Sequence, residues 1–427
     1  MTDEIVEIHI TNKRAKNMNG FNEITRRKVL GGLCAASVGS VAGCLDGFVG
    51  SEGGYRTEAG ECSVSKIDPS SRTGWRVSRG DVANTASSTM SLGGTEAPLS
   101  RSWEVDIGKS PLLTPVVING FIAVLSTEPD GVTTAINEAG EALWTESRDE
   151  LGGDVALNSE TVYAGYEHNG DGVDVIASEL SSGEIRSQFT EIGSASRVVP
   201  LEHRIIVAGN DTVIGYDRQQ QSACWRYRAK GPDPRVSGVA ARGKTVYVGV
   251  VTRESDVEDG GGVAAVGPSG VTWQRSVNEP VVGLTLGVDR TFVRTSSAVI
   301  ALRRSTGETD WRYELGGHPK HGMSLKDGAL VVGDYYGIAS LRPEDGKERW
   351  STELGSTDHS PVILKDGIVA TGRSSSAENG VLVVLDAAGS VGQRIKIRGN
   401  RVSSPAVAGG RVYVGTNDGR LLSFEGS

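Results

Sequence analysis

Cysteine is scarce. Four residues, Cys34, Cys44, Cys62 and Cys224, occur among 427, with no CxxC pair and no histidine-rich ligand spacing, so the sequence encodes neither a recognisable zinc site nor a redox motif. Aromatic residues are few apart from seven tryptophans, and no apolar run is long enough to cross a bilayer comfortably as a helix. Basic charge is also in short supply: residues 45–427 carry 49 acids and 38 bases, a net −11. The basic stripe that a phosphate backbone demands is missing, and no nucleic-acid partner is expected. A GxSxG elbow is absent, and no paired carboxylates stand out by position, so nucleophilic or general acid–base catalysis has no visible carrier.

Glycine, at 58 residues, is abundant, and it marks a repeat. Residues 306–315, TGETDWRYEL, set a glycine four residues before a tryptophan at the head of an alternating stretch, and the same grammar returns at 140–144 and 346–350. A second refrain, an apolar run, glycine, another apolar run and glycine, occupies 361–372 and 405–415. The tryptophan position is filled by Trp103, Trp144, Ser187, Trp225, Trp273, Trp311, Trp350 and Gln393, at spacings of 41, 43, 38, 48, 38, 39 and 43. The longest spacing is attributed to residues 253–262, an acidic, glycine-rich insertion read as a loop.

Within one repeat, alternation and turn residues place four short strands, for example 360–364, 367–371, 381–385 and 393–397, joined by hairpins at 365–367 and 387–389 in which Gly367 and Gly389 are expected to take positive φ. Four antiparallel strands in about 41 residues make a propeller blade. The fold expected is therefore an all-β, eight-bladed propeller over 73–427. The last repeat stops one strand short, and the strand around Trp103, 100–106, is the missing piece, so the N-terminal strand closes the ring. Trp103, Trp144, Trp225, Trp273, Trp311 and Trp350 are assigned to packing between blades, since a periodic large aromatic is core material before it is a binding array.

The N-terminus reads as an address. Arg26 and Arg27 precede a short, weakly apolar run that ends in Val41-Ala42-Gly43-Cys44. The paired arginines resemble a twin-arginine export signal, and the small residues before Cys44 resemble a lipobox, with the thiol taking the lipid. Residues 1–43 are thus expected to be a signal peptide, 44–72 a flexible tether rich in glycine, serine and glutamate, and the propeller to be anchored at the outer face of the cytoplasmic membrane. Cys34 would leave with the signal; whether Cys62 and Cys224 pair stays open.

The Gly-x-x-x-Trp turns, the refrain at 404–416 and the strand at 299–302 resemble the pyrroloquinoline-quinone-like (PQQ-like) propeller repeat family. The segment 74–85, GWRVSRGDVANT, resembles the opening of such propellers in exported haloarchaeal proteins. Two functions are implied. Quinoprotein dehydrogenases of alcohols or sugars hold a quinone and calcium at the propeller axis beside adjacent cysteines, which this chain does not have. The propeller lipoprotein of the barrel-assembly machinery is a non-enzymatic scaffold, and its role fits only cells with an outer membrane. The lipobox and the eight blades favour a monomeric, membrane-anchored scaffold for a protein or glycan partner, with no cofactor, no metal and no catalytic residue expected. The Ser-x-Asp-x-Gly box of sialidase-type propellers is missing. His318, His321 and His359, with Asp358, fall before the first strands of blades six and seven and are candidate metal ligands at a channel mouth, though their spacing matches no ligand motif. Asn210-Asp211-Thr212 is a glycosylation sequon in a turn.

Overall fold

The computed structural model describes residues 55–57, 74–93, 97–108, 111–127, 130–167, 174–190, 194–254, 257–316, 322–334, 336–374 and 378–426. Of the two units into which the chain divides, Met1–Asp46 and Gly47–Ser427, the first lies outside these residues, and with it Arg26, Arg27 and Cys44.

Strands account for all the regular structure among the described residues, in eight antiparallel sheets. Seven are meanders of four consecutive strands, spanning 116–148, 151–189, 197–228, 235–276, 281–314, 323–353 and 356–398. The eighth joins Ala406–Ala408, Arg411–Gly415 and Arg420–Gly426 to Leu99–Asp106, paired from Leu99↔Gly426 to Asp106↔Arg420. The expected closure by the N-terminal strand is therefore observed, and the eight-bladed β-propeller is complete. Closing the ring leaves neither end blade with an open inner ladder.

Burial falls from the axis outwards and explains the composition of each strand. In blade one, Val116–Ile118, Phe121–Leu125 and Gly131–Ile136 are almost wholly buried, whereas the outermost strand, Ala142–Arg148, alternates exposed and half-buried residues. Inner strands have sheets on both faces and read as apolar runs; the outer strand has one wet face and reads with period two. The core is accordingly a set of wedges between neighbouring blades, with one larger cluster where blades seven, eight and one meet around the closing strand.

Three sequence readings change. Residues 253–262 are not a loop: strands Thr245–Glu254 and Val257–Gly267 pair out to Arg253↔Glu258 and Glu254↔Val257, so the insertion lengthens a hairpin. A hairpin arm that projects beyond its neighbours has little core to face, so it needs no apolar alternation and keeps the composition of a loop. Gly389 has the positive φ expected of its turn, +87°, but Gly367 does not; there a Cβ would meet the carbonyl of Leu385 at 2.5 Å. Finally, part of the expected tether, Tyr55–Thr57, is a strand on the outer edge of blade three, with Thr57↔Trp225 and Tyr55↔Tyr227 in register. Free ladder groups on that edge supply the reason, since backbone pairing needs no apolar pattern. Beside it, Cys224 is disulfide-bonded; Cys34, Cys44 and Cys62 all lie outside the described residues.

Candidate functional site

The eight innermost strands converge on an axial cavity of about 240 Å³ that residues of every blade line, among them Thr114, Asp154, Arg197, Ser237, Thr285, Met323, Ser360 and Ser404. One wall belongs to no blade. Residues 74–92 run round the axis past the ends of the innermost strands and contact the blades in chain order. Trp75 exchanges two backbone bonds with Val117 of blade one, both 2.6 Å, and the Arg76 carbonyl accepts from Leu157 of blade two. Val77 and Val82 pack into the wedges on either side of blade three. The carbonyls of Val82, Ala83, Thr85 and Ala86 accept from Ala241, Leu286, Leu325 and Ile363 of blades four to seven. Leu92 reaches the wedge at blade eight. The first twelve residues of this axial belt are the GWRVSRGDVANT segment, whose unusual residues now have physical roles.

Asp81 folds the belt. Its Oδ1 accepts from the amides of Ala83 and Thr85 at 3.0 Å, and its Oδ2 accepts from the Thr85 hydroxyl at 2.6 Å. Asn84 takes a left-handed φ of 56° and donates its side-chain amide to the Val239 carbonyl at 2.9 Å. Such a conformation is tolerated best by asparagine among non-glycine residues. Arg79 lines the cavity and donates to the Met323 carbonyl; its guanidinium fills the space that a Cβ on Gly322 would enter. Trp75 is 1% exposed.

Three guanidinium groups and one carboxylate share the cavity lining. Burial brings Arg79 down to about 10, partly offset by Asp81, and burial raises Asp81, offset by its Thr85 and Ala83 bonds and by Arg242. Asp154 is pushed up to about 6 by burial, against the pull of Arg197 and of the amides of Val198 and Val155; the Val198 bond is 2.9 Å. Arg294, fully buried, is lowered to about 10 by burial, with Asp334 acting the other way, and donates Nη2 to the Gly333 carbonyl at 2.7 Å. A carboxylate acts on each of these cations, Asp81 on Arg79, Asp154 on Arg197 and Asp334 on Arg294, but the lining itself carries three guanidinium groups to one carboxylate, and Arg294 Nε and Nη1 have no hydrogen-bond partner among the described residues. Calcium beside a quinone would require a shell of about six to eight oxygen donors. The lining instead offers guanidinium groups and one carboxylate already committed to two amides and an arginine, so the described residues do not fit that pair. His318 and His321 lie outside the described residues, and of His359 and Asp358 only the backbone is described, in the first strand of blade seven.

At the rim the tryptophans make a recurring contact. Trp103, Trp144, Trp273, Trp311 and Trp350 donate Nε1–H to the carbonyls of Glu138, Leu180, Arg304, Pro343 and Ala387, each in a turn of the next blade, at 2.8–3.1 Å. The indole lies against that turn's glycine: a Cβ on Gly140, Gly183, Gly307, Gly346 or Gly389 would sit 2.5–3.0 Å from ring atoms. Glycine four residues before one tryptophan is therefore the seat of the previous one. Trp225 instead covers Gly215 of its own blade. Gln393 replaces the indole at the seam, its amide donating to the Leu99 carbonyl and accepting from the Leu99 amide, both 2.8 Å. At Ser187 the ring is missing and a groove of about 320 Å³ opens between blades two and three.

The belt and this groove are what sequence reasoning missed. The motif at 74–85 was visible, but only as a resemblance; Ser187 and Gln393 in tryptophan positions were visible, but not the groove and the amide pair that they make there.

Comparison with known proteins agrees with this geometry. The family model described as outer membrane protein assembly factor BamB matches residues 129–291, 209–362, 295–388 and 337–427. A comparison with curated proteins returned no match. Among solved structures, BamB from Moraxella catarrhalis is 15% identical at a TM-score of 0.59, over 77% of this chain and 98% of that one. Quinohemoprotein alcohol dehydrogenase from Comamonas testosteroni is 14% identical at 0.63, over 82% and 80%. The computationally designed Ika8 protein is 14% identical at 0.61, over 74% and 96%. At such identities the likeness is one of fold, shared by an assembly factor, an enzyme and a design.

Proposed function

Because the chain belongs to the PQQ-like propeller family described as outer membrane protein assembly factor BamB, we propose that it is an exported, lipid-anchored scaffold that holds a protein or glycan partner at the outer face of the cytoplasmic membrane and performs no chemistry. The observation that supports this reading is the belt. The axis, where the quinoprotein resemblance would set a cofactor, is lined by the chain's own Arg79 and Asn84 and by a guanidinium-rich wall whose one carboxylate, Asp154, is already engaged. Rims and loops are then the surfaces left for recognition. In this reading Arg26 and Arg27 direct export, and Cys44 at the end of the 41–44 lipobox carries the anchor.

Two experiments test the reading. Crosslinking of intact membranes followed by mass spectrometry should return a defined partner, with a glycan array covering the carbohydrate case, and Cys44→Ser should release the protein into the medium. Retention of the serine variant on the membrane would remove the lipid from the account. The competing reading, a quinone-dependent oxidoreductase of alcohols or sugars, is favoured only by the fold shared with the Comamonas testosteroni enzyme. Dye reduction by protein supplied with quinone, calcium and an alcohol or sugar would establish it and overturn the scaffold.

A further inference from the structure

We propose that the junction between blades two and three is a socket for an aromatic side chain, a tryptophan presented by a protein partner. The protein itself shows what such a position accepts. At five other junctions an indole from one blade lies on the turn of the next and donates its N–H to a carbonyl there.

The strand at the empty junction is built as if for a tryptophan. Trp144, Trp273 and Trp311 each follow a register shift and pair with a small residue of the preceding strand, Ala135, Ala265 and Ala301. Ser187 follows the same shift and pairs with Ala177. The receiving turn is preserved as well. Gln221 occupies the place of Gly307 and keeps its left-handed backbone, with φ of +49° against +72°; the carbonyl equivalent to that of Arg304 is then Arg218. Gln221 can carry a Cβ because no indole of this chain presses on it. The backbone thus keeps the form of a latch at a position where the chain supplies no ring.

What lines the groove suits an aromatic guest. Tyr163 and Phe189 form an apolar floor, and Phe189 is held by Tyr216 at a ring separation of 5.0 Å. Arg186 and Arg218 flank it, the latter with its guanidinium 5.8 Å from the Tyr163 ring centroid. Cations beside a desolvated ring favour a further π face over an aliphatic group. The Gln221 Cβ keeps a guest shallower than the resident indoles, so the ring enters from the rim, where only a second molecule can deliver it. This deepens the scaffold reading and rests on it for the guest's being part of a protein.

The probe is N-acetyl-L-tryptophan amide, titrated into the folded protein by ligand-observed NMR beside N-acetyl-L-leucine amide. Saturable binding with a Kd of about 1 mM, at least tenfold tighter than for the leucine analogue, is expected for a guest of this size. Ser187→Trp combined with Gln221→Gly rebuilds the latch from within; it should raise the melting temperature and weaken the probe at least tenfold. Arg218→Ala, a change in a turn, should weaken the probe several-fold without altering the melt. Absence of saturable binding, or binding untouched by both variants, would overturn the socket. A probe that binds while no membrane partner crosslinks would leave the socket standing and the scaffold reading refuted, and a crosslinked partner with no probe binding would do the reverse.

Discussion

At the rim, five indoles repeat one contact, an N–H to the neighbour's turn and a ring on its glycine, whereas along the axis residues 74–92 make every contact once. The rim joins blades pairwise, so losing one latch leaves the others intact, and the ring tolerates Ser187 and Gln393 in tryptophan positions. The belt touches the blades in sequence, so a break in it frees the ends of several innermost strands together. Repetition makes one part of the propeller expendable; the single-copy segment is not.

The largest effect is therefore expected at the axis. Trp75→Ala should destabilise the protein by about 3–5 kcal/mol, the range for a fully buried large aromatic, measured by urea unfolding. A loss no greater than that of a rim tryptophan would erase the contrast.

Next comes a pH effect at the axis. The Asp154 carboxyl titrates at about 6 in the folded protein against 3.8 as its ordinary value. Between those values the folded state holds the proton and the unfolded state has lost it, so stability falls as pH rises from about 4 to about 6. The loss is about 3 kcal/mol over that window. Asp154→Asn removes this component, and the difference between the two stability curves should grow across the window in favour of the variant. Parallel curves would show that Asp154 is not held protonated.

At the rim, Trp311→Ala should cost about 2 kcal/mol, since the ring is only half-buried and the bond to Pro343 adds about 1 kcal/mol. The smallest and sharpest comparison uses two glycines. Gly346 and Gly328 have similar positive φ, 70° and 78°, but a Cβ on Gly346 would lie 2.5 Å from the Trp311 ring, whereas on Gly328 it meets only the Arg349 Nη2 at 3.8 Å. Alanine strains both backbones by about 1 kcal/mol, so any excess at 346 measures the latch, and equal costs would deny it.

The same contrast explains what could be read from the sequence. Rim and blade were legible because they recur: Trp311 announces Trp350, and Arg420–Gly426 without a partner announces Leu99–Asp106. The belt has no second copy, and Arg79, Asp81 and Asn84 are polar residues that, met in a linear sequence, describe a surface loop as well as they describe a buried staple. Only their bonds to Met323, Thr85 and Val239, hundreds of positions away in part, show that they are inside. The 253–262 hairpin misled in the opposite sense, its acids and glycines standing in a paired strand. The groove at Ser187 lay between these cases, since a gap in a period is visible but its lining is not.

Hydrogen exchange of the folded protein tests the central claim, that the axial belt is part of the cooperative core and not a ligand-binding lid. The account predicts that the amides of Leu157, Ala241, Leu286 and Leu325, which donate to belt carbonyls, exchange only through global unfolding, orders of magnitude more slowly than amides of the outermost strands. Exchange of those four amides at outer-strand rates, with the rest of the blades still protected, would contradict it.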